Sequence, residues 1–151
     1  MIALSTVFIL YPMDLILKQP NELEFKKICD YINEFELDNR SLQKDEFIAA
    51  YRNDELVGFG RIRKHKDCNE LCSLGVITNE RRKGIGKALV SALTKKEPNN
   101  LYLVCIIPDF FEPLGFVETS NYPISILDKI DYCSNELVVP EKYVAMKFKR
   151  D

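Results

Sequence analysis

Seven consecutive residues, Arg81-Arg82-Lys83-Gly84-Ile85-Gly86-Lys87, set four cations around two glycines. Behind them Ile85, Ala88, Leu89, Ala92 and Leu93 recur at i, i+3, i+4, i+7 and i+8, the stripe of a helix lying on a sheet. Ahead of them Leu71–Ile77 (LCSLGVI) reads as a strand. A helix opening directly after a strand presents unpaired backbone N–H groups, and these suit an anion. Cations packed at the positive end of a helix repel one another and oppose its dipole. They make sense together if a polyanionic phosphate sits there. The blander reading, in which the glycines merely let helix and strand pack closely, leaves the cations unexplained. Spacing excludes two phosphate motifs. A P-loop would need glycine where Arg81 stands and Ser or Thr where Ala88 stands, and a dinucleotide fingerprint from Gly84 would need Gly or Ala at Leu89.

The surrounding elements have to hold that loop. Leu15-Ile16-Leu17 reads as a short strand closed by Pro20. Asn21 with Glu24 three residues on is an N-cap arrangement, and Phe25, Ile28, Cys29, Ile32 and Phe35 give residues 21–36 an apolar helical face. Glu46–Tyr51 and Leu56–Ile62 read as strands around the hairpin turn Arg52-Asn53-Asp54-Glu55. The helix after the glycines ends at Lys95 and Lys96, which favour its negative end, and at Pro98. Leu101–Ile107 is a continuous apolar run, as expected of a strand covered on both faces, and should lie parallel to Leu71–Ile77 in a β-α-β unit. A short helix around Asp109–Leu114, a strand from Phe116 and a closing strand at Tyr143–Phe148 complete an α/β architecture with a mixed sheet.

With 151 residues the chain has the size of one domain, large enough to bury a core without metal or disulfide. Its 21 Lys and Arg against 23 Asp and Glu give a net charge of -2, which argues against a generally basic nucleic-acid surface. The five cysteines are scattered without a C-x-x-C pair, and the single histidine, His65, has no cysteine at zinc-ligand spacing. No metal and no disulfide framework are expected, and a reducing cytoplasm fits. Met1 to Met13 carry no charge, yet the run is shorter than the roughly 20 residues a membrane span needs and has no basic region ahead of it. Residues 1–13 therefore read as an N-terminal extension, residues 14–151 as one domain, and no membrane partner is expected.

Arg81-Arg82-Lys83-Gly84-Ile85-Gly86 resembles the [Q/R]-x-x-G-x-[G/A] pattern of the GCN5-related N-acetyltransferases. Glu70–Val76 looks like that family's fourth strand, and Phe110-Phe111-Glu112-Pro113-Leu114-Gly115-Phe116 resembles its later F-Y-E-K-L-G-F segment. The resemblance spans about residues 14–149 and implies an acyl-CoA N-acyltransferase fold with splayed parallel strands flanked by helices. It implies that acetyl-CoA lays its pyrophosphate on the loop Arg81, Arg82, Lys83, Gly84, Ile85, Gly86 and Lys87. The pantetheine arm would pair with the backbone of Leu74, Gly75 and Val76. The acetyl group would enter between Leu71–Ile77 and Leu101–Ile107, its carbonyl polarised by a strand N–H. The acceptor would be a small-molecule amine or amino acid, and family members often form homodimers.

The acceptor amine must shed a proton before it attacks. At pH 7 this costs roughly 4–5 kcal/mol for a lysine-like amine and about 1–1.5 kcal/mol for an α-amine. Glu70 lies where histone acetyltransferases of the family place a basic glutamate, so it is the candidate catalytic base, acting through water; the alternative is an exposed strand carboxylate. Phe111 falls where family members often carry a tyrosine that protonates the leaving thiolate. Phenylalanine cannot donate, so another group acts or the thiolate, with a pKa near about 8.5, leaves unassisted. Arg40-Ser41 and FFEPLGF resemble the acetyltransferase domain of N-acetylglutamate synthases, which gives Arg40 a substrate carboxylate to hold; the alternative is a solvated charge. Asp67 replaces a lysine of those enzymes, unless Lys66 substitutes. Two functions stand at this point: an acetyl-CoA-dependent N-acetyltransferase, with a glutamate-like acceptor as one form, and a catalytically silent acyl-CoA-binding module.

Overall fold

The computed structural model describes residues 14–136 and 139–149, so the extension read at 1–13 lies outside the described residues. Its elements are β1 (Leu15–Lys18), α1 (Glu22–Glu34), β2 (Phe47–Arg52), β3 (Glu55–Lys64), β4 (Asn69–Val76), α2 (Ile85–Lys96), β5 (Leu101–Cys105), α3 (Pro108–Phe111), β6 (Phe116–Glu118), α4 (Ile124–Glu136) and β7 (Val144–Phe148). The strands form a mixed sheet of order β1-β2-β3-β4-β5-β7-β6. The chain divides into two compact units. One holds the residues up to Arg61 with Ser73–Leu93, and the other holds Ile62–Cys72 with the residues from Thr94 on.

In the first unit, α1 starts at a reciprocal cap. Asn21 Oδ1 accepts the N–H of Glu24 at 2.8 Å, and Glu24 Oε1 accepts the N–H of Asn21 at 2.9 Å. Its buried Ile28 and Ile32 pack with Phe47, Ala49, Tyr51 and Phe59. Ala50, the neighbour of Ala49, belongs instead with Leu15, Val57 and the Ile85, Ala88 and Leu89 of α2. Successive strand residues face opposite ways, so β2 is covered on both faces by two helices. β2 and β3 join through Asn53 and Asp54, both at positive φ (50° and 66°), with Arg52 opposite Glu55. That is the two-residue hairpin whose turn twists with the strands.

In the second unit β5 runs parallel to the start of β4 (Asn69↔Leu101, Glu70↔Tyr102) and antiparallel to β7. The helix read around Asp109–Leu114 splits into α3 and a 3-10 turn, Glu112–Leu114, because Pro113 supplies no N–H to continue the α-helix. α4 was not anticipated. Its Ile126 packs with Cys68, Tyr102 and Ala145. Ile126, Lys129, Ile130 and Cys133 occupy i, i+3, i+4 and i+7, a stripe hidden to pattern reading because a lysine sits in it. All five cysteines are free thiols. Among the described residues no helix is long and apolar enough to cross a membrane.

Candidate functional site

In the first unit β4 leads through a 3-10 turn, Thr78–Glu80, into the basic loop and then α2. Gly84 adopts φ +83° and Arg82 φ +66°, so two left-handed residues curl the loop back onto the start of the helix. Backbone turned this way gathers N–H groups into an anion-binding concavity, and at Gly84 it needs a residue without Cβ. The helix's first turn holds no acid, while Lys95 and Lys96 close its last turn.

The four loop cations divide into two pairs. Arg81 donates from Nε to the carbonyl of Val76 at 2.9 Å and lies over the Phe35 ring at 5.1 Å, which ties the loop to the end of β4. Lys83 reaches Glu80 at 3.6 Å, and Glu80 also pairs with Arg52 at 3.4 Å. Arg82 and Lys87 are exposed, and among the described residues no acid pairs with them. The cations available to a phosphate are therefore chiefly Arg82 and Lys87. Sequence spacing could not separate them from their neighbours. The left-handed turn, the acid-free first turn and these two side chains fit a pyrophosphate group.

β4 is irregular where the loop's strand begins. Ser73, in mid-strand, has φ +52°. Its hydroxyl donates to the carbonyl of Asp38 at 2.7 Å and accepts Nε of Arg61 at 3.0 Å. Arg61 is fully buried, and it also donates to Glu46 at 3.1 Å and to the carbonyl of Arg40 at 2.9 Å. A strained non-glycine residue persists only where its surroundings hold it, and strained residues of this kind gather at functional sites. Leu74, Gly75 and Val76 follow directly. Leu74 and Val76 are half-buried, while Gly75 is pressed against Phe59, which accounts for its missing side chain. Sequence reading missed Arg61 and Ser73, because a buried arginine in a strand gives no pattern. Arg40 is half-buried with its guanidinium forked onto Asp38: Nε to Oδ1 at 3.0 Å and the second nitrogen to Oδ2 at 2.8 Å. It is a paired charge that keeps 33% of its side chain exposed.

In the second unit Glu70 is fully buried, so it is not an exposed strand carboxylate either. Its Oε1 lies 2.8 Å from Nε2 of His65 and its Oε2 lies 2.8 Å from Nζ of Lys129. Phe111 is buried with its ring edge-on to Phe110 at 4.9 Å and to Phe116 at 5.9 Å, in an aromatic nest. The structure thus brings the loop residues 81–87 together with Leu74 to Val76 in one unit, and it sets Glu70 and Phe111 in the other.

The Acetyltransferase (GNAT) family model matches residues 12–116. The chain belongs to this acetyltransferase family. Among solved structures it is similar to N-acetylglutamate synthase from Neisseria gonorrhoeae complexed with coenzyme A and N-acetyl-glutamate, at 17% identity and TM-score 0.67 over 90% of this chain. The chain covers 35% of that synthase, about a third of its length. Rv2747 from Mycobacterium tuberculosis, in complex with CoA and NLQ, is similar at 16% identity and TM-score 0.69, over 89% of this chain and 99% of that one. Arabidopsis thaliana Naa50, in complex with the bisubstrate analogue CoA-Ac-MVNAL, is similar at 16% identity and TM-score 0.60, over 89% and 97%. At these identities the likeness speaks for the fold. No curated protein matches the sequence.

Proposed function

We propose that the protein is an acetyl-CoA-dependent N-acetyltransferase acting on the amine of a small molecule or amino acid. The carrying observation is the start of α2. A left-handed glycine, an acid-free first turn and two exposed cations without acidic partners among the described residues, Arg82 and Lys87, form a cradle for a pyrophosphate on the chain of an acetyltransferase family member. Arg81, Lys83, Ile85 and Gly86 complete it as scaffold and backbone donors. The backbone of Leu74, Gly75 and Val76 supplies a ladder for the amide-bearing arm.

Acetyl-CoA brings an activated thioester. The acceptor nitrogen attacks its carbonyl carbon, an N–C bond forms, and the C–S bond breaks with CoA leaving as a thiolate. A backbone N–H beside the Ser73 kink would stabilise the oxyanion. Glu70 and the groups bonded to it supply the base that takes the proton lost by the amine. Arg40 is the candidate for an acceptor carboxylate. Its fork to Asp38 orients the guanidinium but neutralises part of its charge, so it would tune KM more than it decides whether transfer occurs. Coenzyme A complexes with N-acetyl-glutamate in one structural relative, and with a peptide-bearing analogue in another, support an amine acceptor without choosing its size.

The test is thiol release from acetyl-CoA in the presence of a panel of amino acids, polyamines and short peptides. Release that depends on one acceptor class, with the N-acetyl product identified by mass, supports the reading. A second reading, a CoA-binding module without transfer, draws on Phe111, where no proton donor stands. CoA binding without release on any acceptor would select it.

A further inference from the structure

The second unit holds a cluster of titratable groups whose geometry distinguishes its members. Glu70 is fully buried, with one carboxylate oxygen 2.8 Å from His65 Nε2 and the other 2.8 Å from Lys129 Nζ. Lys129 is itself 5% exposed. An ammonium at that distance favours the ionised carboxylate, and full burial gives Glu70 no direct access to solvent for proton exchange. Glu70 is thus well held and poorly placed to accept a proton. His65 differs in two respects. Its side chain keeps 16% exposure, and among the described residues its Nδ1 has no hydrogen-bond partner. With Nε2–H donated to the carboxylate, the Nδ1 lone pair is the open basic atom of the cluster.

We infer that the proton shed by the acceptor amine passes to Nδ1 of His65, with Glu70 as a positioning residue that fixes the imidazole tautomer and stabilises the imidazolium. Lys129, from α4, holds Glu70 in place. This rests on the acetyltransferase reading above and names the atom that serves it. In the step, the acceptor ammonium gives its proton to Nδ1, directly or through one water, and the freed nitrogen lone pair forms the new N–C bond. The nitrogen's second excess proton passes to the thiolate as the C–S bond breaks, which leaves the neutral amide, and Nδ1 returns its own proton to solvent. The turn between β3 and β4 pins His65, whose backbone N–H donates to the carbonyl of Cys68 at 2.9 Å.

Among the other charged and titratable groups around the cluster, Cys72 is buried with its Sγ within 4.8 Å of a Glu70 carboxylate oxygen. Lys64 pairs with Glu97 at 3.4 Å, and Asp67 accepts the backbone N–H of Ser125 at 3.1 Å. Lys66 is exposed, and burial pushes the Cys68 thiol up to about 12. Tyr102 lies on β5 under the Lys147 ammonium at 5.4 Å. Cys133 is buried on α4, and Tyr143 precedes β7.

His65 is the protein's only histidine, so its imidazole can be titrated by NMR without CoA and without assignment ambiguity. That midpoint is compared with the pH dependence of kcat at saturating acetyl-CoA, in the wild type and in H65Q, E70Q and K129M. The inference expects the rising limb of kcat to follow the imidazole midpoint. E70Q moves both to lower pH, and K129M moves both to higher pH. H65Q loses the limb and roughly a hundredfold in kcat near neutrality, with CoA affinity retained. If E70Q fails to fold once Lys129 loses this carboxylate, the double variant E70Q/K129M takes its place and must also lower the midpoint. A limb kept in H65Q and lost in E70Q makes Glu70 the base and overturns the inference alone. A wild type that binds CoA but acetylates no amine overturns the acetyltransferase reading and this role with it.

Discussion

Phe59 lays its ring against the bare Cα of Gly75: a Cβ there would stand 2.6 Å from Cζ and 3.0 Å from Cε1. The ring cannot retreat, because it is fully buried and stacks on the Tyr31 ring, with centroids 6.4 Å apart, in the core under α1. Gly75→Ala is therefore an overpacking change in the strand proposed to carry the pantetheine arm. We expect a loss of about 1–3 kcal/mol in denaturant unfolding, together with weaker CoA binding. Phe59→Leu in the Gly75→Ala background removes the clashing ring edge and should recover part of both. Additive losses from the two substitutions would show that the contact does not limit this strand.

CoA should raise the melting temperature, by an amount equivalent to about 2.7 kcal/mol at a hundredfold excess over Kd. Gly86→Asp sets bulk and negative charge at the start of α2 and should abolish the shift. The division of the loop cations makes a finer expectation. Arg82→Ala and Lys87→Ala should weaken CoA binding and flatten its salt dependence, because both side chains are exposed and unpaired with any acid among the described residues. Arg81→Ala should act first on stability, since Arg81 is bonded to Val76 and stacked on Phe35. Calorimetric titration at two salt concentrations separates these cases; equal losses from Arg81 and Arg82 variants would refute the division.

The glycine loop was legible because its signals are local: turn residues, helical spacing and charge lie within about twenty positions. The Asn21–Glu24 cap and the Asn53-Asp54 hairpin were legible for the same reason, each being fixed by a few neighbouring residues. What stayed hidden depends on distant partners. Glu70 could be placed on a strand, but its burial between His65 and Lys129 requires a helix that starts 54 residues later, at Ile124. Lys129 also masked that helix, since a charged residue on an apolar stripe breaks the pattern unless its counter-charge is known. Arg61 is similar. Its bonds to Ser73, Glu46 and the carbonyl of Arg40 span 12 to 21 positions, and no motif announces them.

Phe111 should matter through packing rather than proton donation. Its ring is buried between Phe110 and Phe116. If the thiolate leaves unassisted or takes its proton elsewhere, Phe111→Tyr changes kcat less than tenfold, under about 1.4 kcal/mol in barrier. Phe111→Ala should destabilise the fold by about 3–5 kcal/mol, the range for emptying a buried aromatic site. Kinetics and unfolding of both variants are measured together. A hundredfold gain in Phe111→Tyr would mean that the wild type lacks its acid, and would favour the CoA-binding module.

Stability on the acid side should depend on Asp67. Its carboxyl is held below the usual range first by the Ser125 hydroxyl and then by the Ser125 backbone N–H, which donates to Oδ2 at 3.1 Å in the first turn of α4. A carboxylate there also meets the positive end of the helix dipole. The sign follows from the direction of the shift. A folded pKa below the unfolded value of about 3.9 favours the charged form in the fold. The contribution is then fully present above that value and disappears as pH falls through the lowered one. Glu24 works the same way, lowered first by the backbone N–H of Asn21, so the acid limb has at least two contributors. Asp67→Asn keeps an acceptor for Ser125 but cannot titrate. Denaturation midpoints followed from neutral pH down through pH 4 should therefore fall less steeply below pH 4 in the variant than in the wild type. Because α4 carries Lys129, the same acidification should loosen the Lys129–Glu70 pair, and hydrogen exchange in α4 reads that directly. Parallel midpoint curves for the two proteins would remove Asp67 from the acid limb and leave it to Glu24.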